Sequence, residues 1–246
     1  MIPSSPLRTW IFLVLSSLAF YAPVLLMPAD WEKSTSYMLF YNIYQGALVL
    51  AGFWFGPAIC SSLVVRTVVA GPLRHAVDLT MTELRSNNGL ARLPAIPVTL
   101  AEHSVPFIVT AGLLPAQSQI FLSSALVQRL GMNGLRFLLA RALLHGSLSQ
   151  RLAALVPVLV LTAVIQDIPS SIPAWLALAG LLLGWLLMHW LFELRADSKA
   201  AQALGPAAAE GLRELLQATA SAPGWLSMQA PIRWRLHILA GALRAK

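Results

Sequence analysis

Phe137-Leu-Leu-Ala-Arg-Ala-Leu-Leu-His-Gly146 and Phe192-Glu-Leu-Arg-Ala-Asp197 are the two stretches on which the reading of this chain turns. Each sets two polar residues four apart in a helix-forming run: Arg141 and His145 in the first, Glu193 and Asp197 in the second. Residues at i and i+4 share one helix face. One helix therefore presents a guanidinium beside an imidazole, and the other presents two carboxylates together. Gly131-Met-Asn-Gly134 breaks the chain ahead of the first stretch, which places a helix over residues 135–150 with Asn133 as its N-cap.

The surroundings of these stretches are apolar. Of 246 residues, 57% are hydrophobic and only 11% charged, against about 25% charged in soluble domains. Four membrane spans are expected, over residues 10–27, within 37–65, over 152–165 and over 174–192. The third is short and has a re-entrant or interfacial segment as its competing reading. The first follows Arg8 and is long for a signal peptide, whose apolar region runs about 7–15 residues, so it reads as an uncleaved span. Tyr37, Phe40, Tyr41 and Tyr44 open the second at the headgroup boundary. Arg66, Arg74, Arg85 and Arg92 follow the second span, and Arg195, Lys199, Arg213, Arg233, Arg235, Arg244 and Lys246 follow the fourth. The positive-inside rule then puts both termini in the cytoplasm. This topology accounts for the net charge of +7, and no basic run interleaves with aromatics, which argues against a nucleic-acid partner. Cys60 is the single cysteine; it excludes an intrachain disulfide and reads as an apolar filler.

Outside the spans, residues 77–85, 207–220 and 232–243 read as helices. Residues 93–109 alternate weakly around Pro94, Pro97 and Pro106, so strands there are short or at an edge. Residues 107–110 and 119–123 are the pair expected to form a small sheet. The organisation is then an N-terminal transmembrane hairpin (1–70), a first polar half (71–150), a second hairpin (151–192) and a second polar half (193–246).

This order of parts resembles that of the HtpX-type membrane zinc metallopeptidases. Residues 106–114 and 120–126 resemble the lead-in to that family's motif helix, and residues 230–239 resemble its closing segment, a His-Pro pair followed by an Arg-rich helix. In the intact H-E-x-x-H motif two histidines bind zinc and the glutamate activates water. Here those five positions read Arg141, Ala142, Leu143, Leu144, His145, and the His of the closing pair is Ala230. Glu193 matches the third ligand and Asp197 its supporting carboxylate. The resemblance implies a mainly α membrane protein of about four transmembrane helices with a small cytoplasmic α+β gluzincin-like peptidase domain, in a bacterial-type inner membrane. It also implies a peptide-binding edge at Phe107, Ile108, Val109 and Thr110.

The chemistry that this pattern permits is narrower than the family's. Zinc hydrolysis needs three protein ligands and an open water position. A guanidinium has donors only, so Arg141 cannot ligate, and Ala142 carries no base. The expectation is a salt bridge from Arg141 to Glu193, Asp197 or both, in place of a metal, with no cofactor. The bland alternative is three unrelated solvated charges. The functional expectation is an inactive peptidase-like protein that binds, regulates or assembles with another membrane protein or peptide segment. The competing one is a divergent zinc metalloendopeptidase of membrane protein quality control using His145, Glu193 and a recruited His189, which precedes Glu193 by one helical turn. A plain structural subunit is a third. His103 and His237 read as surface residues and His75 as lying at headgroup level; no G-x-S-x-G or phosphate-cradling glycine loop is present.

Overall fold

Breaks in the helical pattern decide the architecture of the first hairpin. The computed structural model describes residues 6–28, 34–64, 66–86, 90–147, 174–219 and 230–244. Helix α1 (Pro6–Leu26) is joined to α2 (Thr35–Trp54) by the Tyr44 hydroxyl, which donates to the Ala19 carbonyl at 2.6 Å. The expected second span does not run straight. It bends by 59° at Phe55 into α3 (Gly56–Leu63). Pro57 is the cause: it has no N–H to give, and its ring crowds the carbonyl four residues earlier. Among the described residues no single helix is long and apolar enough to cross a membrane, whereas α2 and α3 together are. Large apolar side chains stand outward on both α1 and α2, among them Leu15, Leu25, Leu39 and Ile43. The expected third span lies outside the described residues.

The expected fourth span is the first part of a longer helix, α7 (Ala174–Leu204). It carries exposed Leu183, Leu187 and Leu191 and continues past Phe192 for about three turns. Glu193 and Asp197 therefore ride on an extension of the apolar segment itself.

Around that extension sits a compact unit. It comprises α4 (Pro72–Ser86), strands β1 (Val98–Ala101), β2 (Ile108–Ala111) and β3 (Gln119–Ser123), then α5 (Ser124–Arg129), α6 (Met132–His145), α8 (Ala207–Thr219) and α9 (Ile232–Arg244). The expected pairing is present: β2 runs antiparallel to β3, with Ile108 opposite Leu122 and Thr110 opposite Ile120. The sheet has a third member, β1, parallel to β3, giving the order β1-β3-β2. The outer edge of β1 is covered, because Val68 N–H donates to the Leu100 carbonyl and Glu102 N–H to the Arg66 carbonyl. β2 is thus the outer strand on the opposite side. Its Phe107 carbonyl takes the Ser123 N–H. By the alternation of an antiparallel ladder, Val109 and Ala111 then face β3 through their backbone, and Ile108 and Thr110 turn theirs outward.

The motif helix begins differently from the sequence expectation. Gly131 is the N-cap of α6, and Asn133 lies within the first turn, where its side chain donates to Glu210 at 2.6 Å. The orphan N–H groups of the helix start are met from a distant helix instead: Glu214 of α8 accepts from Gly134 N–H at 2.8 Å. A carboxylate there also complements the positive end of the helix dipole. The two helices meet closely because both are glycine at the crossing. A Cβ on Gly211 would lie 2.5 Å from the Asn133 carbonyl oxygen. Phe137, Leu138 and Leu139 of α6 share one core with Ala200, Ala201, Ala208 and Leu212, so residues from both polar stretches pack into a single interior.

Candidate functional site

Ten of the fourteen residues of α6 are buried, and Arg141 is among them. Its guanidinium points at the carboxylates of α7. Nη2 donates to Glu193 Oε1 at 2.6 Å, and Nε lies 2.9 Å from Asp197 Oδ1. The Nε–H is not aimed at that oxygen, so the second contact is coulombic, and among the described residues Nε has no hydrogen-bond acceptor. Glu193 uses its other oxygen, Oε2, to accept the backbone N–H of Ala230 at 2.8 Å. Asp197 is held from the far side by Arg235 of α9, which donates from Nε to Oδ2 at 2.6 Å and from Nη2 to Oδ1 at 3.2 Å. All four side chains are buried; Asp197 and Arg235 are 0% and 1% exposed. Two cations and two anions make a closed cluster without net charge.

Burial by itself would push the Glu193 carboxyl upward. The Arg141 guanidinium, the Ala230 N–H and Arg235 outweigh it and hold Glu193 below the usual carboxylate range. Burial likewise opposes the charge on Arg141, and Asp197 and Glu193 more than compensate, so its pKa rises.

The expected meeting of Arg141 with Glu193 and Asp197 is therefore what the geometry has. Ala142 is buried beside it. His145 and His189 are half-buried and line a cavity of about 280 Å³ together with Phe53, Phe192, Arg141 and Glu193. His189 Nε2 is 3.9 Å from Glu193 Oε1, beyond hydrogen-bond range. A second cavity, of about 250 Å³, shares Ile108, Leu138 and Arg141 with the first, so the arginine stands where the two meet. Ile108 and Thr110 border the first cavity; Phe107, Ile108 and Val109 border the second. Of the four expected edge residues, Phe107 turns inward: it is buried with Ala101, Ala111 and Phe121, and its N–H donates to Ser123 Oγ. His103 is half-buried and accepts the Val105 N–H through Nδ1, while His237 and His75 are exposed.

Arg235 is the residue that the sequence reading passed over, counting it only among the inside-positive charges. A signal was available. Arg235, Leu239 and Ala242 fall at helical spacing on the face of α9 that is buried. An arginine on an apolar face calls for a buried carboxylate.

The comparisons with known proteins can be set against this geometry. The chain has the fold of Ste24p. It matches the S. mikatae Ste24p structure with a TM-score of 0.59 at 14% identity, over 94% of this chain, and spans 65% of the length of that protein. At that identity the likeness is one of fold alone. No protein-family model matches the chain, and no curated protein matches it in sequence.

The motif resemblance implies zinc, and Arg141 and Ala142 in that motif do not suit it. The Arg141 guanidinium lies against the carboxylates of Glu193 and Asp197, and it offers donors where a cation needs acceptors. Among the described residues no three His, Cys, Asp or Glu side chains converge as a metal site.

Proposed function

We propose that this chain is a membrane-embedded pseudopeptidase, which keeps the peptidase scaffold and holds peptide segments of other membrane proteins without cutting them. The observation that carries the reading is Arg141, bonded to Glu193 and set against Asp197 where hydrolysis would need a cation and its water. With Ala142 in the place of the general base, the reaction also lacks a contribution commonly worth about 10²–10⁴-fold. What remains is a pair of neighbouring cavities along the outer strand β2, which share Ile108, Leu138 and Arg141 in their walls. An extended segment adds to such an edge through main-chain hydrogen bonds. The exposed apolar surfaces of α1, α2 and α7 support a lipid surrounding, the distribution of Lys and Arg supports cytoplasmic termini, and the family resemblance implies a bacterial-type inner membrane.

The test is metal analysis together with proteolysis. The full chain purified in detergent is expected to carry zinc well below one equivalent and to leave an unfolded membrane-protein substrate intact. Stoichiometric zinc with chelator-sensitive cleavage would sink the proposal. That outcome would favour a divergent metalloendopeptidase built on His145, Glu193 and His189, which already line one cavity.

A further inference from the structure

A third cavity, of about 590 Å³, shares no wall residue with the two beside β2. Arg66, Arg129, His103, Ser104 and Gln128 bring donors to it, and Glu102 is the one carboxylate among its described lining residues. Two guanidiniums against one carboxylate leave the wall with one positive charge. His103 Nδ1 accepts the Val105 N–H at 3.0 Å, so the ring carries its own N–H on Nε2. Ser124 Oγ accepts the His103 N–H at 3.2 Å and so holds that loop to α5. The cavity opens outward, since Arg66, Glu102, Ser104, Gln128 and Arg129 are all exposed. Its place in the fold is set by α3. Arg66 comes three residues after α3 ends at Leu63, a reach of at most about 11 Å, and its carbonyl accepts the Glu102 N–H at 2.9 Å. Cys60 and Val64 pack on the small core of Ala101, Phe107, Ala111 and Phe121. The His103 ring stands edge-on to Phe107 at 5.8 Å. The cavity therefore sits at the end of the bent pair α2–α3, which together is long and apolar enough to cross a membrane.

We infer that this cavity binds the headgroup of an anionic glycerophospholipid at the end of the α2–α3 span. Basic pockets at the cytoplasmic face of a membrane take lipid headgroups, and a guanidinium meets a phosphate through paired N–H···O bonds. A lipid phosphodiester carries one negative charge, which matches the one positive charge of the wall. Glu102 separates a headgroup from bare phosphate. A carboxylate only accepts, so it repels the phosphate itself and suits the hydroxyl groups that a glycerol headgroup presents beyond it. The volume lies within the usual range of ligand sites, about 300–1,000 Å³, and an open mouth suits a ligand whose acyl chains stay in the bilayer. Val105 follows Ser104 at the rim and is 50% exposed, an apolar tip beside the charged wall. The inference rests on the membrane embedding proposed above and is independent of whether the chain holds peptides.

The experiment uses the full chain purified in detergent, with phosphatidylglycerol, phosphatidylcholine and inorganic phosphate as probes. Native mass spectrometry counts the lipids retained per chain, calorimetry reads phosphate, and flotation with vesicles of either lipid reads embedding. Phosphatidylglycerol is expected to be retained at one per chain, ahead of phosphatidylcholine, whose trimethylammonium cancels the charge and has no donor for Glu102. Arg66→Gln and Arg129→Gln are each expected to weaken retention about 5-fold, and together about 30-fold, the value of one and two arginines near an anionic lipid surface. Arg92→Gln, exposed and outside the cavity, is expected to change nothing. Equal retention of the two lipids, or an equal loss with Arg92→Gln, overturns the headgroup site, and embedding then stands if the chain still floats. Binding of inorganic phosphate with no preference between the lipids assigns the arginines to free phosphate and overturns the lipid. A chain that floats with neither vesicle overturns embedding and the headgroup site together.

Discussion

Replacing Arg141 by leucine is the most direct perturbation of the cluster. Arg141→Leu deletes the 2.6 Å bond to Glu193 and the 2.9 Å contact with Asp197, and it leaves two buried carboxylates facing Arg235 alone. Removing one partner of a buried pair costs about 3–5 kcal/mol. At about 2–4 °C per kcal/mol for a chain of this size, the melting temperature falls by roughly 6–20 °C. The loss depends on pH, and its sign follows from Glu193. In the native chain the Glu193 pKa lies below its ordinary value of 4.5. Its contribution to stability is therefore present above the unfolded pKa and is lost as pH falls through the lower folded one. In the variant burial is opposed only by the Ala230 N–H and Arg235, so the folded pKa rises relative to the native chain and the carboxyl takes up a proton earlier on acidification. The gap between native and variant is thus widest at pH 7.5 and narrows toward pH 5. Melting followed by the fluorescence of the eight tryptophans measures it. Arg136→Leu is the reference, since the Arg136–Glu83 pair is 33% and 49% exposed and such surface pairs contribute about 0–1 kcal/mol. Adding Glu193→Gln to Arg141→Leu should restore part of the loss. A shift no greater than that of Arg136→Leu, or a gap that widens in acid, refutes the argument.

Three further outcomes are expected. Arg141→His combined with Ala142→Glu restores the pattern of the intact motif opposite Glu193, and the doubly substituted protein should retain about one zinc per chain after dialysis, measured by elemental analysis, and lose it when Glu193→Ala is added. Gly211→Ala forces a Cβ against the Asn133 backbone oxygen, 2.5 Å away; because backbone cannot step aside, denaturant unfolding should show a loss of about 1–3 kcal/mol. Glu214→Ala leaves Gly134 N–H at the start of α6 without its carboxylate, for a loss of about 0.5–2 kcal/mol by the same measurement.

What could be read in the sequence was whatever depends on local pattern. The helical period marked α4, α8 and α9 to within a few residues at most ends, and the spacing of Arg141, His145, Glu193 and Asp197 placed each pair on its face. The β2–β3 pairing followed from two short apolar runs between turn residues. Features settled by distant partners were not legible. The cap of α6 is Glu214, 80 residues from the N–H that it accepts, so the nearby Asn133 was the only local choice. β1 is four residues long and pairs in parallel with a strand some twenty residues on, which leaves no hairpin signature. The bend at Phe55 is a different case. Gly56-Pro57 was in plain view, but a hydropathy count over residues 37–65 weighs composition and takes no account of a missing N–H.

The cluster around Asp197 bears on how the cleft keeps its shape. Ion pairs in an interior seldom stabilise more than apolar residues of the same size would, so stability alone does not account for four buried charges. Direction does. Arg141 comes from α6, Glu193 and Asp197 from α7, and Arg235 from α9, with Ala230 N–H fixing the approach to that last helix. Apolar side chains tolerate a slip of one helix along another. These do not, because a slip of one residue, about 1.5 Å along the axis, would strand at least one buried charge. Two of these helices, α6 and α7, are those that an ion held between His145 and Glu193 would have joined. The arginines thus supply a metal's positional constraint while lacking its open coordination site. On the proposed reading this combination is why the wall beside β2 keeps its shape for a bound chain, and why that chain would leave uncut.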